Sequence, residues 1–229
     1  MNAATPEILR AGPRLPAVLA LAAALSSCAG RAPVLVPPSS GAEAVEGFGS
    51  AVLDGPEARM KGKFAFLFRL PDLGRIEALD PVGRTAFTIL FRGDRAYFVL
   101  PAKKVYTDES PETMMARFLG VALLPGEMVS LLCGTWAGAG GDAGGLVERD
   151  GQGRIVRGGK EGFSFAVRKF FPGAGVPREL GLEGPGTTGR MKILSIGFDP
   201  PAREGAFDPG FLRAYARRTW DEILEIVDR

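Results

Sequence analysis

The chain has 229 residues, with 28 basic against 26 acidic side chains, a net charge of +2 and no histidine. This balance leaves no basic footprint for nucleic acid. The missing histidine excludes His-based triads, histidine metal sites and pH switching near neutrality.

The first stretch reads as an export signal. Arg10 and Arg14 give it a positive start, residues 15–24 an apolar centre, and Leu25-Ser26-Ser27-Cys28 a cleavage site of small residues. Residues 15–27 fall short of the roughly 20 apolar residues a membrane-spanning helix needs, and no stop-transfer segment follows. The sequence LSSC resembles the bacterial lipobox, which implies lipidation at Cys28 and removal of residues 1–27. Ala29, where an aspartate would favour the inner membrane, then implies an address on the periplasmic face of the outer membrane. With Cys28 acylated, Cys133 is the one remaining thiol; it sits in the apolar run Met128–Cys133 and reads as a buried structural residue. Residues 28–44 are rich in proline and serine and read as a lipidated tether. Residues 45–229 have the length of one domain.

Beyond Glu46 the hydrophobic period is 2. Phe64, Phe66, Phe68 and Leu70 alternate with Ala65, Leu67 and Arg69, the pattern of a strand with one aromatic face. Residues 75–79 and 85–91 form two further strands around Asp80-Pro81-Val82-Gly83, whose Asp, Pro and Gly suit a type I turn and leave Val82 pointing outward. Strands over 95–100 and around Val105-Tyr106 complete a meander. Ser110-Pro111 starts a helix with Met114, Met115, Phe118 and Leu119 on its apolar side and Gly120 as its stop. Pro125 opens a second, carrying Met128, Leu131 and Leu132, ended by Gly134. Both are short and apolar, so each must lie against the phenylalanine face.

Residues 134–145 hold six glycines; without a GK[ST] or a strand-bound GxGxxG they read as a loop. Strand patterns resume over 146–149, 154–157, 162–168, 176–182 and 190–198. Asp208-Pro209 is expected to cap one last helix with a stripe through Leu212, Ala216, Trp220, Ile223 and Val227.

The segments RIEALDPVGRTAFTIL, Tyr106, SPETMMARFLG and LLPGEMVSLLCG, taken in order, resemble the central part of LolB-type outer-membrane lipoproteins over about residues 46–134. The resemblance implies a mainly β fold: a strongly curved antiparallel sheet, an open half-barrel, with short lid helices over an apolar cavity. It implies binding of the acyl chains of lipoproteins or lipids, received from a LolA-like periplasmic carrier and delivered to the outer membrane. Pro81, Val82 and Gly83 then stand at the membrane-insertion turn, with Val82 where the family usually has leucine. Phe64, Phe66, Phe68, Ile76, Phe87 and Ile89 on the sheet, with Met114, Met115, Phe118, Met128, Leu131 and Leu132 on the helices, are expected to line the cavity. Periodicity alone reads the same residues as ordinary core.

No enzyme is expected: Ser130, Ser164 and Ser195 stand outside any G-x-S-x-G, and no paired-acid or HExxH motif is present. No metal, cofactor or nucleic acid is expected, and the chain is expected to act as a monomer. The competing reading is a structural accessory of an envelope assembly machine that transfers no cargo.

Overall fold

The computed structural model describes residue 35 and residues 41–136, 146–203 and 205–227. The leader, Cys28, most of the expected tether, and residues 137–145 of the glycine-rich loop lie outside these. Ala42 is already part of the core. There Asp199 Oδ1 accepts hydrogen bonds from the Glu43 and Ala44 amides at 2.8 and 2.9 Å.

The first meander comprises β1 (Ala44–Asp54), β2 (Arg59–Arg69), β3 (Leu73–Leu79), β4 (Thr85–Arg92), β5 (Arg95–Leu100) and β6 (Val105–Glu109). After α1 (Pro111–Leu119) and α2 (Pro125–Cys133) comes a second, of β7 (Val147–Arg149), β8 (Ile155–Lys160), β9 (Phe163–Phe170), β10 (Pro177–Gly184) and β11 (Thr187–Phe198). Pairing of β1 with β11 joins the two into one curved, unclosed sheet of twelve strands. Its twelfth strand, β12 (Ala216–Arg217), lies parallel to β6 at the edge. The chain leaves the first meander at β6 and must reach β7 at the far edge. That path carries α1 and α2 across one face of the sheet, which is why two nine-residue helices can be stable.

Register makes this inner face a pattern of rings set against glycines. Phe64 pairs with Gly49, Phe66 with Gly47, Phe68 with Gly74, and Phe165 with Gly158. The rings lie on the bare backbone: a Cβ at Gly49 would stand 2.8 Å from Phe64 Cζ, and one at Gly74 would stand 2.8 Å from Phe68 Cδ1 and 2.9 Å from Phe91 Cδ2. Glycines at such positions let a sheet bend sharply, and the aromatic ring restores the packing that glycine lacks.

The helices end as their sequences require. Ser110 Oγ accepts from the Thr113 amide at 3.2 Å, and Gly120 closes α1 at φ +69°. Glu127 Oε2 accepts from the Leu124 amide at 2.8 Å at the start of α2.

The final segment differs from the single helix expected. Pro209–Ala214 is a 3-10 turn, Ala216–Arg217 is β12, and only Trp220–Val227 is α-helical, here α3. The Ala216 and Arg218 amides donate to the Lys104 and Tyr106 carbonyls at 2.9 and 2.7 Å. Asp108, whose side chain is 3% exposed, holds Arg217 and Arg95 together. Satisfying the edge of β6 and a buried carboxylate outweighs continuation of a helical stripe. Of that stripe, Leu212, Trp220 and Ile223 are buried, whereas Ala216 and Val227 are exposed.

The ring-on-glycine contacts give a test of what shapes the sheet. Gly74→Ala would place a methyl 2.8 Å from Phe68 Cδ1 and 2.9 Å from Phe91 Cδ2, and is expected to destabilise by about 1–3 kcal/mol. Gly151→Ala, with nothing within 4 Å, is expected to change stability by about 0.5 kcal/mol or less. Urea unfolding midpoints of the two variants measure the contrast.

Candidate functional site: an apolar cavity beneath two helices

Between the inner face and the helices lies a cavity of about 60 Å³ bordered only by apolar side chains. From the sheet come Ala51, Leu53, Met60, Phe64, Ile76, Phe87, Ile89, Leu182 and Met191; from the helices and their link come Met115, Phe118, Leu119, Leu123, Met128 and Leu131. Of the residues predicted from sequence, Phe64, Ile76, Phe87, Ile89, Met115, Phe118, Met128 and Leu131 are thus brought together. Phe66, Phe68, Met114 and Leu132 belong to the surrounding core and do not border the cavity. Sequence reasoning missed Ala51 and Leu53 because β1 shows a weak alternation, Met60 because it precedes the phenylalanine run of β2, Leu119 and Leu123 at the end of α1 and in the link after it, and Leu182 and Met191 because they lie in the second meander. The β1–β11 register that brings Ala51 beside Met191 leaves no local signal.

An apolar cavity of roughly 150 Å³ holds a single benzene ring, so the observed space is smaller than one ring needs in that case, with α1 and α2 seated over it. Two half-buried ionic contacts hold them down. Arg117 of α1 donates from Nε and Nη2 to Glu109 at 2.7 and 2.6 Å, and pairs with Glu57. The Glu109 carboxylate raises the guanidinium pKa further. Lys160 Nζ of β8 meets both oxygens of Glu127 in α2 at 2.7 and 2.8 Å. Trp220 of α3 closes one flank, edge-on to Phe98 at 5.3 Å and to Phe118 at 6.0 Å. Leu53 and Met60, paired across β1 and β2, are half-buried, as are Ile76 and Phe87 among the other lining residues.

The side chains that border the cavity carry no ionisable group. Cys133 is buried, and desolvation pushes its thiol pKa up to about 11. It is therefore a neutral thiol at physiological pH rather than a nucleophile. Among the described residues no cluster of three His, Cys, Asp or Glu could hold a metal ion.

The turn between β3 and β4 forms as its sequence dictates. Asp80 Oδ1 accepts from the Val82 and Arg84 amides at 3.0 and 2.8 Å, the Gly83 amide donates to the Asp80 carbonyl at 3.0 Å, and Gly83 takes φ +85°. Pro81 and Gly83 are exposed beside Val82, which is 75% exposed. A second, more polar recess of about 580 Å³ lies on the outer face, beside Arg203 and Ala206. Glu46, Arg75, Glu77 and Arg203 line it together with Phe48, Ala65, Leu67 and Ile196.

No protein-family model and no curated protein matches the chain by sequence. Its fold is similar to that of a domain from Vibrio parahaemolyticus described as outer-membrane lipoprotein-sorting, with a TM-score of 0.50 and 10% identity over 77% of this chain and 93% of that one. A LolA superfamily protein from Nitrosomonas europaea gives a TM-score of 0.47 at 12% identity, over 77% and 94% of the two chains. A DUF1329 family protein from Desulfovibrio piger gives 0.48 at 11% identity, over 75% and 92%. At these identities the likeness is one of fold. The protein is an open half-barrel with two short helices over its inner face, the architecture that its sequence resemblance implies.

Proposed function

We propose that this protein binds acyl chains of lipoproteins or lipids beneath its lid helices and helps insert them into the outer membrane, where a lipid on Cys28 anchors it. The observation that carries this reading is the wholly apolar cavity covered by two short helices held from outside by ion pairs. The resemblance of residues 46–134 to LolB-type lipoproteins, and the fold shared with a lipoprotein-sorting domain, support it. Affinity would come from burial of methylenes, each worth about 0.8 kcal/mol, and transfer from a gradient toward tighter binding, with no covalent step. A LolA-like carrier would supply the cargo on the periplasmic side, and the protein would work as a monomer.

Displacement of a bound hydrophobic dye by palmitate is the direct test. A competing role as a non-transporting accessory predicts no displacement. Ala51→Leu fills the cavity from its floor, and is expected to keep or raise stability by about 0.5–2 kcal/mol while weakening palmitate binding at least tenfold. Unchanged binding in a folded Ala51→Leu protein would mean that these residues are core alone.

Anchoring rests on Cys28. Metabolic labelling with a palmitate analogue is expected to mark the parent chain and to vanish in Cys28→Ser; equal incorporation in both sinks the assignment.

Val82 would touch lipid during delivery. Val82→Glu is expected to leave stability within about 0.5 kcal/mol and to slow release of a labelled lipoprotein into liposomes. Val82→Leu, one methylene larger, is expected to match or exceed the parent rate. Three indistinguishable rates would remove Val82 from delivery.

A further inference from the structure

The outer face of β2, β1 and β11 carries a charge pattern that cargo binding does not explain. Pairing sets Lys61 beside Val52 and Val52 beside Arg190; in the next row on that face Lys63 lies beside Ser50 and Ser50 beside Lys192. Adjacent strands are about 4.8 Å apart, so each row presents two cations within roughly 10 Å around a small or apolar centre. Arg168 lies over Gly181 of the neighbouring strand, extending the patch. The trough between these side chains measures about 500 Å³.

Like charges so close repel; on the same face Asp54 is taken up by Arg59 at 2.6 Å, and Glu183 stands exposed two residues beyond Gly181. Lys61, Lys63, Arg168 and Arg190 have no ion-pair partner among the described residues. Glu179 is shared between Lys169 at 3.2 Å and Lys192 at 3.9 Å. The whole chain carries only +2, so this concentration is local.

Its position carries the argument further. Lys63 pairs with Leu79, the last residue before the Val82 turn, and Lys61 lies two residues beyond it toward that turn. Exposed Arg84 stands on the other side of the tip. Two apolar side chains stand free in this field, Val82 at 75% and Val52 at 54% exposure. Leu53 and Met60, half-buried members of the cavity lining, are the sequence neighbours of Val52 and Lys61 on the opposite face.

From this juxtaposition we infer that Lys61, Lys63, Arg84 and Arg190 form a basic collar that seats the Val82 end of the sheet on an anionic phospholipid surface, with the cavity opening toward it. An acidic protein would use the cations equally well. It would give no reason for bare valines at the tip and between the cations, whereas an interface of headgroups over acyl chains accommodates both. The inference rests on the delivery reading given above, and its test separates the two.

The full chain carrying Cys28→Ala, so that no acyl anchor contributes, is floated with vesicles of phosphatidylcholine alone and with vesicles of equal parts phosphatidylcholine and phosphatidylglycerol. Binding is expected to the anionic vesicles only, and to be abolished at about 1 M salt, where screening acts within roughly 3 Å. Each cation near an anionic surface contributes about fivefold, so joint Lys61→Gln, Lys63→Gln and Arg190→Gln is expected to lower the partition constant roughly a hundredfold. A control of equal charge, Lys103→Gln with Arg213→Gln and Arg218→Gln, is expected to bind like the parent. The collar is overturned if the two triple variants bind alike, or if neutral vesicles bind as well as anionic ones. Dye displacement by palmitate without vesicles is read on the same proteins. Charge-dependent vesicle binding without palmitate binding would overturn the cargo reading and uphold the collar; the reverse pattern would overturn the collar alone.

Discussion

Everything in this structure depends on phenylalanine rings lying on glycines. Phe64 on Gly49, Phe66 on Gly47, Phe68 and Phe91 on Gly74, and Phe165 on Gly158 place large side chains where the facing strand has no Cβ. A row of ordinary residues on the inner face would hold the strands flatter and fill the space above them. With glycine below the rings, the face curls and becomes deep enough to receive two helices.

Connectivity then decides what lies in that curve. The link from β6 to β7 joins opposite edges of the sheet, so α1 and α2 cross the inner face because the chain has to. Their fixings lie at the rim, where Arg117 meets Glu109 and Glu57, and Lys160 meets Glu127. Beneath them the contacts are apolar and non-directional. Such an arrangement separates what holds the helices shut from what a lipid would touch, since rim ion pairs can break into water without exposing an unpaired charge to the cavity.

Much of this was legible in the sequence, for physical reasons that differ from place to place. Alternation of Phe64, Phe66 and Phe68, the DPVG turn, and the Ser110 and Gly120 helix boundaries are local signals, and each forms as read. β1 was nearly silent because its inner positions are Val45, Gly47, Gly49, Ala51 and Leu53, small where the opposing strand is large. Its meaning lies in the partner strand rather than in its own pattern. The last segment misled because Leu212, Ala216, Trp220, Ile223 and Val227 keep a helical spacing. Arg217 is nevertheless drawn to the buried Asp108, and the neighbouring amides complete the ladder of β6. The cavity floor was only half visible for a related reason, since Met191 reaches it through a pairing of strands distant in sequence.

That same pairing governs how the molecule comes into being. β1 and β11 are the seam between two meanders, each of which can form from neighbouring hairpins. The seam joins residues nearly at opposite ends of the domain, so it closes late and slowly, as non-local strand pairing does. During synthesis β1 emerges first and has only β2 for company until β11 arrives, leaving its glycine-rich flank without a partner until the domain is nearly complete. Those glycines, with their low β-propensity, make that waiting flank a poor template for other chains. The residues that let the finished sheet curl therefore also protect the unfinished one.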